Sequence, residues 1–197
     1  SDVYKRQVVS GGMVLVKGGT LPSSSGLSGQ AVGDFWIGKY EVTWGEWKAV
    51  REWSVGKGYD LAGVGEGSGD DHPVRNVSWY DVVKWSNARS EKEGLEAVYQ
   101  VGGSVYRSGE RVPEVRAVAN GYRLPLEAEW EWAARGGVSS KGYVYSGSDD
   151  LNEVGWWYEN SRGAAVDLGS NYGAYYQGRG TWPVGRKKGN ELGLYDM

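Results

Sequence analysis

The stretch that decides the fold is GYRLPLEAEWEWAARGG, residues 121–137. Glu127, Glu129 and Glu131 alternate with Trp130 and Trp132 shortly after Pro125. Proline fits the first turn of a helix, and acidic side chains there interact favourably with the helix dipole. Glu127 and Glu131 are four apart and share a face, while Glu129 points elsewhere. Trp130 and Ala134 are expected on the core side, flanked by Leu126 and Ala133, with Gly136 as C-cap. A carboxylate pair doing acid–base work has to face a cleft. A dipole-matched helix start accounts for every residue here, so the glutamates carry no catalytic assignment.

Working outward, GGMVLVKGG (11–19) and DFWIGKYEVT (34–43) read as strands, with a Ser/Gly-rich loop over 20–33 between them. Thr43 with Glu46 and Ser78 with Asp81 are capping-box patterns that open two more helices. Helices are therefore expected near 43–54, 79–93 and 125–135, with Trp47, Trp79 and Trp130 largely buried. VYQVGGSVYR (98–107) reads as a hairpin turning at Gly102-Gly103. Residues 138–197 show no sustained period and read as loops and short strands.

The chain has 197 residues, 40% hydrophobic and 24% charged, which fits one sizeable globular domain rather than a disordered chain. A net charge of −3 leaves no electrostatic footprint for nucleic acid. No apolar run approaches the ~20 residues of a membrane helix. The 33 glycines are more than twice the usual ~7%, and 11 Trp and 14 Tyr stand against a single Phe. Such a composition points to a loop-rich fold held by aromatic packing.

There is no cysteine, hence no disulfide, thiol nucleophile or zinc–thiolate site. His72, the single histidine, reads as a loop residue. Asp70 and Asp71 beside it offer oxygen ligands for calcium but lack the ligand spacing of an EF-hand, so they read as a solvated acidic loop.

Two aromatic stretches are the candidate binding elements. In EVGWWYENSRG (153–163), Trp156, Trp157 and Tyr158 cannot all face one core from a regular strand, because alternate residues point opposite ways. In NYGAYYQGRGTW (171–182), Tyr172, Tyr175, Tyr176 and Trp182 sit among Gly and Asn, a composition of adaptable recognition loops. Packing against a second layer of loops is the competing reading for the first stretch.

DVYKRQ (2–7) reads as the in-frame translation of a sequencing-library adapter, GATGTGTATAAGAGACAG, with native sequence starting near Val8. Residues 1–7 are then expected to pack on nothing, and 8–197 to be one domain. The chain stops at GLYDM (193–197) without a closing turn, and reads as a fragment truncated at both ends.

MVLVKGG (13–19), FWIGKYEVT (35–43), HPVRNVSWYDVVKWSN (72–87), GYRLPLEAEWEWAARGG (121–137) and PVG with ELGLYDM (183–185, 191–197) occur in this order. Together they resemble the formylglycine-generating-enzyme, or sulfatase-modifying-factor, domain over about 185 residues. The resemblance implies an α+β fold related to C-type lectins, with short strands and about three helices. It implies, for active members, oxidation of a sulfatase cysteine to formylglycine with oxygen and copper held by two cysteines near the domain's C-terminus. It also implies relatives that use the scaffold only for binding or display, many bacterial.

This chain departs from the family pattern in several places. The catalytic cysteines would lie beyond Met197, so no catalytic residue carries over. Leu126 stands where the family commonly has an N-capping Thr, and Ser86 where many relatives have a non-catalytic cysteine. Residues 94–120 resemble an insertion found in some bacterial members. Asn160 and Asp167 sit where some relatives place a structural calcium; copper is expected only in a full-length active relative. The expected function is a binding or display module taking a protein or small ligand, extracytoplasmic or at the cell surface. The alternatives are a truncated part of an active oxidoreductase and a structural module of a larger protein.

Overall fold

The computed structural model describes residues 12–162 and 180–197. Residues 1–7, expected to pack on nothing, lie outside this range. The architecture is mixed α+β with little regular structure. In chain order it comprises β1 (Met13–Val16), β2 (Gly19–Thr20), β3 (Ala31–Val32), β4 (Phe35–Gly38), α1 (Trp44–Ser54) and α2 (Trp79–Lys92). There follow β5 (Tyr99–Val101), β6 (Ser104–Val105), β7 (Glu114–Val115), α3 (Glu127–Ala134), a 3₁₀ turn at Gly137–Ser139 and α4 (Leu151–Val154). These elements fall into two compact units.

The first unit comprises Thr43–Asp70 and Val74–Leu124. Both expected capping boxes form. The Thr43 hydroxyl accepts from the Glu46 amide while the Glu46 carboxylate accepts from the Thr43 amide, and Ser78 and Asp81 repeat the exchange. Satisfying otherwise orphaned donors fixes where each helix begins. Trp47, Val50 and Ser54 form the buried stripe of α1. Trp47 stacks on Trp85 of α2 with ring centroids 5.3 Å apart and planes 2° from parallel. Neither indole N–H is wasted: Trp47 donates to the Val64 carbonyl at 3.0 Å and Trp85 to the Trp47 carbonyl at 3.2 Å. Lys84 is buried in this layer, with its ammonium 2.6 Å from Asp60 and 3.5 Å from Asp81, the pairing a buried charge requires.

The hairpin turns at Gly102 and Gly103, both at positive φ (57° and 78°), and β7 adds to the other edge of β5 in the order β6-β5-β7. Its anchor is Asn87, fully buried on α2. The Asn87 amide donates to the Tyr99 and Tyr106 carbonyls, and its carbonyl accepts from the Val98 and Tyr99 amides, all within 3.1 Å. One side chain thus bonds four backbone groups of the short strands; the Tyr99 carbonyl also accepts from the Tyr106 amide at 3.0 Å. Trp79, expected to be buried, is 49% exposed. It occupies the first helical position, and the buried run of α2 begins one turn later at Val83. Its ring rests edge-on against Tyr80 instead.

The second unit comprises the described parts of Val9–Val42, Asp71–Pro73 and Pro125–Met197. β1 and β4 pair antiparallel with Val16 opposite Phe35, and β2 and β3 pair with Gly19 opposite Val32. Strand β3 therefore lies inside the stretch read as a Ser/Gly loop. The core gathers Val16, Leu21, Val32, Phe35, Ala128, Trp132, Ala133 and Leu194.

Helix α3 corrects the sequence reading of its faces. Trp132 is the core tryptophan at 8% exposure, and Trp130 is 47% exposed. The buried residues are Ala128, Glu129, Trp132 and Ala133. At 100° per residue this face excludes Trp130 and Ala134, which lie on the far side. The Trp132 indole N–H donates to the Lys17 carbonyl at 2.8 Å, and its ring lies against Gly19, where a Cβ would collide with it. Glu129, which was expected to point elsewhere, turns back to accept from the Leu126 amide at 2.8 Å. Glu131 pairs with Arg135 at 2.6 Å, and Glu127 is exposed. Gly136, in the left-handed region at φ 88°, ends the helix where expected. α4 went unread, because a single turn carries no period.

Leu126 occupies the N-cap of α3 with its side chain 62% exposed and no capping hydrogen bond. Only the Glu129 half of a capping box is present. Leu126→Thr is expected to raise the unfolding free energy by about 1 kcal/mol in urea titration. An unchanged midpoint would show that the first turn of α3 gains nothing from a capping hydroxyl.

Candidate functional site

In the second unit the loop following α4 builds a pocket. Asp150 caps α4 by accepting from the Asn152 amide at 2.9 Å. The chain then turns through Gly155 into the tryptophan pair. Asn160 closes this turn: its carbonyl accepts from the Trp157 amide at 2.8 Å, and its amide donates to the Gly155 carbonyl at 3.0 Å. The Trp157 indole N–H donates to Asn152 at 3.0 Å. The aromatic run is thereby held in one conformation by its own asparagines.

Trp156 meets Trp182 in a near-parallel stack, centroids 4.8 Å apart and planes 11° from parallel. The Lys187 ammonium lies 4.1 Å from the Trp156 ring centroid and donates to the Asn152 carbonyl. Trp156, Trp157 and Trp182 wall a pocket of about 270 Å³, with Ser161, Gly180 and Thr181 beside them. Glu41, Pro73 and Asp196 complete its lining. Thr181 is tied to His72, whose Nδ1 lies 3.0 Å from its hydroxyl.

The pocket is polar where it matters. The indole nitrogens of Trp156 and Trp182 and Oδ1 of Asp196 have almost no accessible surface and, among the described residues, no hydrogen-bond partner. The other Asp196 oxygen accepts from the Gly185 amide at 2.8 Å, and Asp196 itself adopts φ 56°, a conformation uncommon outside glycine. Burial, with the charge of Asp196 as a lesser cause, raises the Glu41 carboxyl above the usual glutamate range. The site therefore sets two carboxylates, Glu41 and Asp196, beside aromatic walls.

Of the aromatic residues expected to bind ligand, the pocket brings together Trp156, Trp157 and Trp182, while Tyr158 is not part of its lining. Tyr172, Tyr175 and Tyr176 lie outside the described residues, as does Asp167 of the expected calcium pair. Its partner Asn160 spends its oxygen on the Trp157 amide. Among the described residues, no group of three or more His, Cys, Asp or Glu could hold a metal ion. Glu41, Pro73 and Asp196 were missed as site residues. Each belongs to a different block that carries the family resemblance (35–43, 72–87 and 191–197), and the convergence of those blocks was the available signal.

The three glutamates of α3 are absent from the pocket lining. Glu131 is held below the usual glutamate range by hydrogen bonding to Ser25 and by Arg135. Among the described residues, no helix is long and apolar enough to cross a membrane.

Comparison with known proteins agrees with this architecture. "Chaperone protein LppX" of Paenibacillus barcinonensis is 38% identical over 201 residues, covering 96% of this chain and 69% of that protein. The formylglycine-generating enzyme of Mycobacterium tuberculosis (strain ATCC 25618 / H37Rv) is 38% identical over 77 residues, 39% of this chain and 24% of that protein. The crystal structure of CarF superposes with a TM-score of 0.71 at 30% identity, covering 93% of this chain and 75% of that one. Treponema denticola variable protein 1 superposes at 0.64 and 28% identity, covering 93% and 68%. The family model described as "Sulfatase-modifying factor enzyme 1-like domain" matches residues 1–197, and the chain belongs to that family.

Proposed function

We propose that this chain is a binding module on the formylglycine-generating-enzyme scaffold, taking its ligand in the Trp156–Trp182 pocket and performing no catalysis itself. The observation that carries this reading is a pocket of about 270 Å³ in which the rings of Trp156, Trp157 and Trp182 stand with the carboxylates of Glu41 and Asp196. The pocket offers donors, acceptors and ring surfaces, the components of recognition. Copper of the kind used by active family members needs thiolate ligands, and this chain has no cysteine to provide them, so its residues do not fit that metal.

The names of two relatives, a chaperone protein and a variable protein, support binding as the role. The match to the mycobacterial formylglycine-generating enzyme supports the alternative, a portion of an oxidoreductase whose cysteines lie beyond Met197. An extracytoplasmic or cell-surface location and a structural calcium at Asn160 and Asp167 belong to the same proposal. Millimolar calcium should then raise the melting temperature of the chain but not of Asp167→Asn; an unchanged temperature removes the calcium site.

The test of the binding reading is a fragment collection screened by NMR. Supporting hits shift the indole N–H signals of Trp156 and Trp182 and are lost in Trp156→Ala, while signals from α1 and α2 stay in place. Hits indifferent to that substitution, or no hits at all, overturn it. So does chain-dependent conversion of a sulfatase-type peptide cysteine to formylglycine, read by mass spectrometry with copper, oxygen and a reductant present.

A further inference from the structure

We propose that the free edge of β7 pairs with the same edge of a second copy, joining two chains about a two-fold axis at Val115. In an antiparallel ladder, residue pairs that exchange backbone hydrogen bonds alternate with pairs that do not. The Arg116 amide donates to the Val98 carbonyl at 2.8 Å, so the neighbouring Val115–Tyr99 pair is a non-bonded one. Tyr99 agrees, since its amide donates to Asn87 and its carbonyl accepts from Tyr106. The Val115 amide and carbonyl therefore point away from β5. β7 is the last strand in the order β6-β5-β7, so among the described residues nothing continues the sheet on that side.

The side chains along this edge are accessible. Residues 114–118 are all exposed, Val115 at 60%. Val112 and Val118, three residues before and after it, are exposed as well. Valines left in water gain by being covered.

The charges choose the occupant. Glu114 and Arg116 stand one residue either side of Val115 and leave the opposite face of the strand. Two copies of β7 run antiparallel through Val115 set Glu114 opposite the partner's Arg116, and Arg116 opposite the partner's Glu114. Opposite charges in directly facing positions stabilise a strand pair, and like charges destabilise it. Glu114 has no ion pair among the described residues, and Arg116 has an exposed one, to Glu96 at 3.1 Å. An arbitrary extended segment has no reason to carry a base and an acid in the matching order, whereas a second copy necessarily does. Val115 then meets the partner's Val115, and the two exchange the amide-to-carbonyl bonds that the open edge leaves unmade.

Pro113 and the turn after the strand set the limits of the pairing. Pro113 has no amide to offer, and the Ala119 amide donates to the Arg116 carbonyl at 3.0 Å, which turns the chain away. Proline and charge on an edge strand ordinarily keep it from joining other sheets. Here they leave one short, self-complementary match over Glu114–Arg116. An interface of this extent belongs to the weak class, so association is expected at high chain concentration only.

The test follows the full chain by sedimentation equilibrium from about 20 µM to about 1 mM, with amide hydrogen exchange at both ends of the range. A concentration-dependent dimer is expected, with slower exchange of the Val115 amide at the high end. Glu114→Arg sets like charges opposite each other twice and should weaken the dimer about tenfold, as should Arg116→Glu. An equimolar mixture of these two variants restores both opposite-charge pairs and should dimerise like the unaltered chain. Val115→Lys brings two ammonium groups together at the axis and should abolish association. Both Glu114 and Val115 are exposed, so their variants keep the fold, which the exchange protection of α1 and α2 verifies.

A chain that stays monomeric throughout overturns the inference. So does a dimer that the charge reversals leave unchanged, or that the mixture fails to restore, because it then forms on another surface. The synthetic peptide RVPEVRAV, residues 111–118, should compete for the edge, and the same peptide with arginine in place of its glutamate should not. Equal protection of the Val115 amide by both peptides would make β7 a general strand-binding edge, and the self-pairing would fall.

Discussion

Trp132→Ala is expected to lower the unfolding free energy by about 3–5 kcal/mol, the usual cost of truncating a fully packed tryptophan. Trp130→Ala, two residues away, should cost less than about 1 kcal/mol, because a surface side chain leaves no cavity. The contrast is the informative quantity. Trp132 fills the space between Ala128, Ala133, Val16 and Phe35 and donates to the Lys17 carbonyl, while nearly half of Trp130 faces solvent. Truncating Trp132 loses ring packing, the half-buried hydrogen bond to Lys17 and the contact that requires glycine at position 19. Urea unfolding of the two variants gives the comparison directly. Equal losses, or a larger loss at Trp130, would overturn the assignment of the α3 core face.

A second large effect is expected at Asn87. Asn87→Ala leaves the Tyr106 carbonyl and the Val98 and Tyr99 amides without their Asn87 partner, while the Tyr99 carbonyl keeps the Tyr106 amide. At about 1–3 kcal/mol for each of these unsatisfied buried groups, the loss should exceed about 3 kcal/mol. Asn87→Asp should be nearly as damaging although it is almost isosteric. It sets an acceptor against the Tyr99 and Tyr106 carbonyls where a donor stood. In hydrogen exchange, the Val98 and Tyr99 amides should lose protection in the Ala variant. A loss under about 1 kcal/mol in both variants would show that the β5–β6 hairpin holds itself together.

What was legible in the sequence follows the range of the interactions concerned. The capping boxes at Thr43–Glu46 and Ser78–Asp81 act over three residues, and both helices begin where the pattern places them. The Gly102-Gly103 turn is equally local. The side of α3 that faces inward was misread, because two tryptophans 200° apart around a short helix compete for the core. The choice is made by Lys17 and Gly19, more than a hundred residues earlier in the chain. Asn87 carried no signal, since its partners lie 11–19 residues away and belong to strands too short to announce themselves.

The candidate site divides in the same manner. Composition singled out Trp156, Trp157 and Trp182, because adjacent large aromatics with alternating directions cannot share one core. It gave no reason to join them to Glu41, Pro73 and Asp196, which meet them only in the folded second unit. The family blocks, however, contain all three. A motif that marks membership in a family can also mark where the chain folds back on itself.

The reliance on asparagine has a consequence for the molecule's chemical ageing. Asn87 on α2 and Asn190 near the C-terminal end of the second unit act alike. Asn190 donates to the Ala133 carbonyl and the Ser146 hydroxyl and accepts from the Leu192 and Leu194 amides. Deamidation at either position would turn a required donor into a charged acceptor. In the folded chain both amides are clamped and buried, so the backbone cannot easily reach the geometry for cyclisation. Once the chain opens, that protection is gone, and each deamidated copy carries a lesion that opposes refolding. Asparagine is among the thermally labile residues, and modification of the unfolded form is one route to irreversibility. The survival of this protein after heating should therefore depend on how long it stays open as well as on the temperature reached.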